Sequence, residues 1–285
     1  MPARSSIATS LSAIQEAPMP KPVRLAINGA TGRMGQALLA LVKDDARFIL
    51  VAAIASPTSS KLGQPIDACA GALTYSHEWP APGTLDVVVD FSGPAGLAEA
   101  LTYCESNSVG LVTGTTGLDA TFAQRLNASA ARIALLRSAN FSLGVAVLTR
   151  LLRQAAAALP DWDLDIIEAH HNRKEDAPSG TALALGEAAA AARGTSLRES
   201  AVYAREGRVG PRELGTIGFA VVRGGDVVGE HEVFLMGQGE RIELTHRATD
   251  RSIFARGALE AAHWLSGRVA GDYDLDAMLA DRAGH

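Results

Sequence analysis

Two histidines, an arginine and a lysine fall within five residues at His170-His171-Asn172-Arg173-Lys174. The string around them runs from Glu168 to Thr181 and includes Ser179-Gly180. A histidine titrates near neutrality and serves as a general acid or base. Lys174 stands out by usage: the chain has 22 arginines and four lysines, and Lys174 is the only lysine after Lys61. Where any cation would serve, this chain uses arginine. A lysine here points to a compact ammonium, or to a proton that can leave. Ser179 is a natural helix N-cap, and Gly180 and Thr181 would then present free backbone N–H groups at a helix N-terminus, an anion site. One loop thus offers a proton donor, an ammonium and a carboxylate cradle, in a chain whose net charge is −5. It suits an anionic substrate. No metal is expected: adjacent histidines do not readily share a tetrahedral site, and no cysteine or third histidine lies close by.

A second candidate site is Gly29-Ala30-Thr31-Gly32-Arg33-Met34-Gly35, which follows the apolar run 23–28 and precedes a helical pattern. Glycines there permit a tight turn and close approach of the backbone to a pyrophosphate, and the helix N-terminus supplies N–H donors. The reading is a dinucleotide-binding turn. The next strand ends at Ala55-Ser56, without the carboxylate that accepts the ribose hydroxyls of NAD. Arg33 in the turn, with Lys61 further on, would suit a 2′-phosphate. The expected cofactors are NADPH and/or NADH, with a lean towards NADPH.

The elements that hold these residues follow from hydrophobic pattern. Apolar strands at 23–29, 48–56, 86–92, 110–117 (a strand and turn) and 132–142 alternate with helices at 36–42, 95–106 and 122–131. Strands apolar throughout, alternating with helices, mean a parallel sheet covered on both faces. The pattern then changes. A helix (143–159) leads to a strand (163–171), the polar loop, and an alanine-rich helix (181–193). Extended segments at 216–223, 229–237 and 241–248 are joined by glycine turns and read as antiparallel hairpins. A closing helix spans 254–267. The expected fold class is α/β: a Rossmann-type doubly wound parallel sheet, with a second α+β domain carrying an open mixed or antiparallel sheet. Residues 21–141 plus 256–285 would form the dinucleotide-binding domain, and 142–255 a substrate-binding and oligomerisation domain.

Bulk properties exclude several classes. An acidic chain without a basic stripe offers nothing to nucleic acid, and no run of 18 apolar residues would span a membrane. Cys69 and Cys104 lack metal spacing and read as thiols of a reducing compartment, so the expected location is cytoplasmic. Residues 1–20, rich in Ser, Ala and Pro, read as a disordered tail or an over-long start, with Met19 as an alternative first residue. A transit peptide has similar composition. Short-chain dehydrogenases need a Tyr-x-x-x-Lys pair, but Tyr75, Tyr103, Tyr203 and Tyr273 are followed at that spacing by Trp79, Asn107, Gly207 and Ala277. An amino-acid dehydrogenase and a non-catalytic dinucleotide-binding regulator stay open as alternatives.

The string from Glu168 to Thr181 resembles the signature of the 4-hydroxy-tetrahydrodipicolinate (dihydrodipicolinate) reductase family. So, in the same order, do 29–35, 89–94, 114–117, 138–145, 205–207, 215–233 and 240–248, covering residues 21–280. Ala55-Ser56 departs from the pattern, because many members carry an acid there. The resemblance implies a homotetrameric, two-domain enzyme that reduces a cyclic dicarboxylate, with loss of water, to tetrahydrodipicolinate on the lysine/diaminopimelate route. It further implies that Gly114-Thr115-Thr116 and Ser138-Ala139-Asn140-Phe141 join Gly29–Met34 and Ser56 around the cofactor. His170 would be the proton donor and Lys174 a second donor, while His171, Gly180 and Thr181 would hold the substrate carboxylates.

Overall fold

The computed structural model of the chain describes residues 21–66 and 73–284. The sequence readings of segment 1–20 and of Cys69 lie outside the described residues. The first half runs β1 (Val23–Asn28), α1 (Arg33–Val42), β2 (Phe48–Ile54), β3 (Tyr75–Ser76), β4 (Val87–Asp90), α2 (Pro94–Asn107), β5 (Gly110–Thr113), α3 (Ala120–Ser129) and β6 (Ala134–Arg137). The second runs α4 (Leu143–Ala158), β7 (Asp163–His170), α5 (Gly180–Ala192), α6 (Leu197–Ser200), β8 (Ala201–Val202), β9 (Ile217–Arg223), β10 (Gly229–Met236) and β11 (Arg241–Ala248). It closes with α7 (Ser252–Leu265), β12 (Gly271–Tyr273) and α8 (Leu275–Arg282).

Seven strands form a parallel sheet in the order β12–β6–β5–β4–β1–β2–β3. Val87, Val88 and Val89 on β4 are fully buried, because consecutive residues face opposite sides and both sides are covered. One apolar layer involves α1 and α7, the other α2 and α3. The strand order reverses between β1 and β4, and a crevice opens outside the carboxyl ends of the strands there. The glycine turn sits at that point.

The second sheet is mixed, in the order β11–β10–β7–β9–β8. Here one expectation is corrected. Segments 229–236 and 241–248 do form an antiparallel hairpin, but 217–223 does not pair with 229–236. Strand β7 lies between them, parallel to β9 and antiparallel to β10. The Gly-Gly-Asp turn at 224–226 is a passage around the end of β7. Gly224 N donates to His170 O at 3.0 Å, His171 N to Val227 O at 2.8 Å and Asn172 N to Gly225 O at 3.3 Å. Alternation identifies extended segments, but it does not say which neighbour each one takes. The short strands β3, β8 and β12 and the helices α6 and α8 were not anticipated. The three strands, of two or three residues, and α6, of four, carry no period to read.

Helices α4 and α5 cover one face of this sheet, where Leu164, Ile166, Ile217, Phe219, Val233 and Leu235 pack against Leu148, Leu152, Leu185 and Ala189. Burying each of these aliphatic side chains contributes about 1.5–3 kcal/mol. Along β7 the same face changes character after Ile166. The next two positions on it are Glu168 and His170.

Candidate active site

The glycine turn is shaped by close backbone approach. Gly29 has φ +77°, and a Cβ there would stand 2.6 Å from Phe91 O. At Gly35 a Cβ would stand 2.3 Å from Gly29 O and 2.6 Å from Ala30 Cα. The turn therefore lies flat against β4 and against the start of α1, and the first N–H groups of α1 are left without intrahelical acceptors. A cavity of about 440 Å³ beside it is lined by Gly29, Thr31, Gly32, Ser56, Phe91 and Glu99, among others. A bare, glycine-lined backbone at a helix N-terminus fits a dinucleotide. Arg33 opens α1 and is exposed; Ser56 is exposed at the mouth of the same cavity. Glu99, exposed on α2, is an acid lining this cavity that sequence reasoning missed.

Beneath this crevice Asp90 is fully buried. It accepts from Asn28 Nδ2 (2.8 Å), Thr113 Oγ1 (2.8 Å), Thr115 Oγ1 (2.7 Å) and Ser92 Oγ (2.5 Å). One carboxylate thus ties together the ends of β1, β4 and β5 and fixes the Gly114-Thr115-Thr116 loop. Thr116 is exposed at its tip. Across the loop that ends β6, Ser138 Oγ donates to Asn140 O at 2.7 Å, and Ala139 is exposed. Phe141 is buried, with its ring edge-on to Phe91 at 5.4 Å, so its side chain supports the loop from below.

In the second sheet the carboxylate of Glu168 is sealed from solvent and receives four hydrogen bonds. His170 Nδ1 lies 2.6 Å from Oε2 and Ser179 N donates to Oε1 at 3.0 Å. Arg223 donates to both oxygens at 2.7 Å. Burial pushes the Glu168 carboxyl up, but the hydrogen bonds from Arg223, His170 and Ser179 outweigh it and leave the pKa lowered. The His231 ring meets the His170 ring edge-on at 5.3 Å. Its Nε2 lies 3.0 Å from Ser179 Oγ, which also accepts from Ala182 N at the N-cap of α5. Burial first, then the neighbouring His170, pushes His231 down to about 4.

The loop after β7 carries the remaining groups. Lys174 Nζ contacts both oxygens of Asp176, at 2.7 and 2.8 Å. Any other anion that meets the ammonium must displace this partner. His171 has a shielded Nδ1 with no hydrogen-bond partner among the described residues. Loss of water around the ring, then the charges of Arg251, Arg173, His170 and Lys174, lowers the His171 pKa. Gly180 and Thr181 form the open first turn of α5. Thr181 Oγ1 accepts from Asn140 Nδ2 at 3.1 Å. The two loops singled out in the sequence therefore meet at the N-termini of α4 and α5. Sequence reasoning missed the partners of His170. Glu168 was visible two residues away on the same strand face, whereas Arg223 and His231 carried no local signal. Among the described residues no cluster of His, Cys, Asp or Glu is placed to hold a metal ion.

Two family models match the chain: "Dihydrodipicolinate reductase, N-terminus" over residues 23–141 and "Dihydrodipicolinate reductase, C-terminus" over residues 144–279. A 4-hydroxy-tetrahydrodipicolinate reductase of Thiobacillus denitrificans is 47% identical over 263 residues, covering 90% of this chain and 98% of the relative. One from Acinetobacter baumannii is 45% identical over 264 residues, with 90% and 96% coverage. Among solved structures, a dipicolinate-bound dihydrodipicolinate reductase from Paenisporosarcina sp. TG-14 superposes with a TM-score of 0.69 at 24% identity, covering 89% of this chain and 97% of that one. The GenD2 protein of gentamicin A biosynthesis, in complex with NAD, shares the fold with a TM-score of 0.55 at 15% identity, covering 93% and 92%.

Proposed function

The chain belongs to the dihydrodipicolinate reductase family, and from that premise we propose how its own residues carry out the reaction. The protein is an oxidoreductase that reduces 4-hydroxy-tetrahydrodipicolinate to tetrahydrodipicolinate, with loss of water, using a nicotinamide cofactor in lysine/diaminopimelate biosynthesis. The observation that carries the site reading is the Asn140–Thr181 hydrogen bond, which brings the cofactor-side loop onto the helix terminus that follows His170 and Lys174.

When bound, the reduced nicotinamide supplies a hydride. Residues Gly29 to Met34 hold the pyrophosphate with backbone N–H groups and the α1 terminus. Ser56 and Arg33 border the adenosine ribose, and the loops 114–116 and 138–141 border the nicotinamide half. The α5 N-terminus at Gly180-Thr181, with His171, holds the substrate carboxylates. His170 Nε2 delivers the proton that the reduced substrate needs, and the Lys174 ammonium, released from Asp176, stabilises negative charge as it develops. Arg33, exposed at the start of α1, favours a 2′-phosphate, and β2 ends at Ala55-Ser56 without a carboxylate, so NADPH is used at least as well as NADH, and both are accepted.

The substrate assignment is tested with dipicolinate as a stable dicarboxylate probe. Thr181→Val and His171→Ala should each weaken its inhibition about tenfold or more, the scale of losing one charge-assisted hydrogen bond, with cofactor affinity unchanged in His171→Ala and measured alongside in Thr181→Val, which also removes the Asn140 bond. Unchanged inhibition in both variants would place the carboxylates elsewhere.

The outer face of the second sheet, away from α4 and α5, carries Ile167, Val222, Phe234 and Met236 beside Asp165, Glu230 and Glu232, which pair with Arg205, Arg212 and Arg247, and Val222 is 52% exposed. An uncovered sheet face of this kind needs a partner. The reading is a homotetramer assembled through this domain. For the chain as a unit, 21–141 with 256–285 serves the cofactor and 142–255 the substrate and assembly.

A further inference from the structure

We propose that Glu168, with Arg223 as its counter-charge, is the positioning residue of the site: one oxygen sets which nitrogen of His170 carries the transferable proton, and the other fixes the N-terminus of α5 relative to that nitrogen. The inference rests on the reading of His170 as the proton donor.

The Glu168 carboxylate has about four acceptor sites, and four donors fill them. Oε2 takes His170 Nδ1 and one arm of Arg223; Oε1 takes Ser179 N and the other arm. An ionised carboxylate only accepts, so Nδ1 must donate. Nε2 is then bare in the neutral ring and carries the exchangeable proton in the charged ring. A sealed carboxylate without a cation would be costly; the bidentate fork of Arg223 supplies the charge. The same guanidinium donates to Asp176 O at 2.7 Å, so it also holds the backbone of the loop that carries Lys174.

A pair that merely joined β7 to β9 would need none of this. The two strands are already in parallel register at His170 and Arg223. The pair instead reaches sideways to an imidazole and forward to an N-cap. The groups around His170 are Glu168 on its own strand, Arg223 on β9 through that carboxylate, the uncharged His231 on β10, and His171 next along the chain. Of these, Glu168 alone hydrogen-bonds its ring. The proton donor and the carboxylate cradle therefore move as one unit, with no adjustable side chain between them.

The test is Glu168→Gln, with His170→Gln in parallel. The carboxamide turns an N–H towards one of two donors, so the imidazole loses its acceptor or the N-cap does. The expected result is a loss of about 10²-fold or more in kcat with the NADPH dissociation constant within threefold of wild type. In the wild-type protein, ¹⁵N resonances should show neutral His170 protonated on Nδ1, a measurement that does not depend on the variant folding. A wild-type ring protonated on Nε2 overturns the proposal. So does a folded Glu168→Gln enzyme with kcat within threefold of wild type, if His170→Gln has lost activity. If neither substitution lowers kcat, the reading of His170 itself fails, and this proposal with it.

Discussion

Gly35 offers the sharpest test of how the glycine turn is held. Replacing it with alanine puts a methyl group 2.3 Å from Gly29 O and 2.6 Å from Ala30 Cα. Both neighbours are backbone atoms, so no side chain can swing away. Carbon contacts are comfortable near 3.5–4 Å, so the turn and α1 must separate by about 1 Å. Overpacking of this kind costs roughly 1–3 kcal/mol, which in a domain of this size lowers Tm by about 2–4 °C per kcal/mol. The cofactor loses more. A shift of that size misaligns the N–H groups at the start of α1, and hydrogen bonds to a charged group are each worth about 1.5–3 kcal/mol. The NADPH dissociation constant should therefore rise at least tenfold. Gly32→Ala is the control for the melt alone, since its Cβ meets only Gly29 O at 3.2 Å; it should lower Tm much less, while its methyl group, facing the cavity, is no control for cofactor binding. Fluorescence titration with NADPH and a thermal melt on each variant decide the matter. A Gly35→Ala protein that binds NADPH within threefold of wild type would refute the reasoning.

Three further outcomes follow from the geometry. Arg33→Ala should weaken NADPH more than NADH, read from kcat/KM with each cofactor; a tenfold preference of the wild type for NADH would contradict the assignment of Arg33. Val222→Glu should convert a tetramer to smaller species in light scattering, and a wild-type protein that is monomeric at micromolar concentration would remove the case for the uncovered face. His231, pushed from an ordinary 6.5 down to about 4, stays neutral in the fold while the unfolded chain takes up a proton. Its folded pKa is depressed, so full stability is present above about pH 6.5 and is lost as pH falls towards 4, by roughly 3 kcal/mol in all. The drop in Tm between pH 7 and pH 5 should be smaller in His231→Gln than in wild type, and an equal drop would show that the buried ring is not its source.

Much of the site was legible because its requirements are local. A turn that must lie flat against a strand needs glycine at Gly29 and Gly35, and those residues sit in the string itself. His170, Lys174, Ser179 and Gly180 are consecutive enough for one strand–loop–helix unit to be read from pattern. The parallel sheet was legible because buried strands such as β4 are apolar throughout. What escaped depends on long-range pairing. Arg223 meets Glu168 across 55 residues and His231 meets Ser179 across 52. Nothing near either residue tells it from a surface arginine or a core histidine. The placement of β7 between β9 and β10 escaped for the same reason, since a glycine turn between two extended segments looks alike whether it closes a hairpin or passes around a third strand. Glu99 reaches the cofactor cavity from a helix, where a search along β2 could not find it.

The central claim is that His170 and Lys174 perform proton delivery and charge stabilisation at one site. Single-turnover and steady-state kinetics on His170→Gln, Lys174→Ala, Lys174→Arg and the double mutant test it most directly, with NADPH affinity measured on each. Each single alanine or glutamine variant should lose about 10²–10⁴-fold in kcat with cofactor binding intact. The double mutant should lose less than the product of the two, and Lys174→Arg should stay impaired because a planar guanidinium restores charge but not a compact point charge. A His170→Gln enzyme with near wild-type kcat and unchanged NADPH binding would contradict the account.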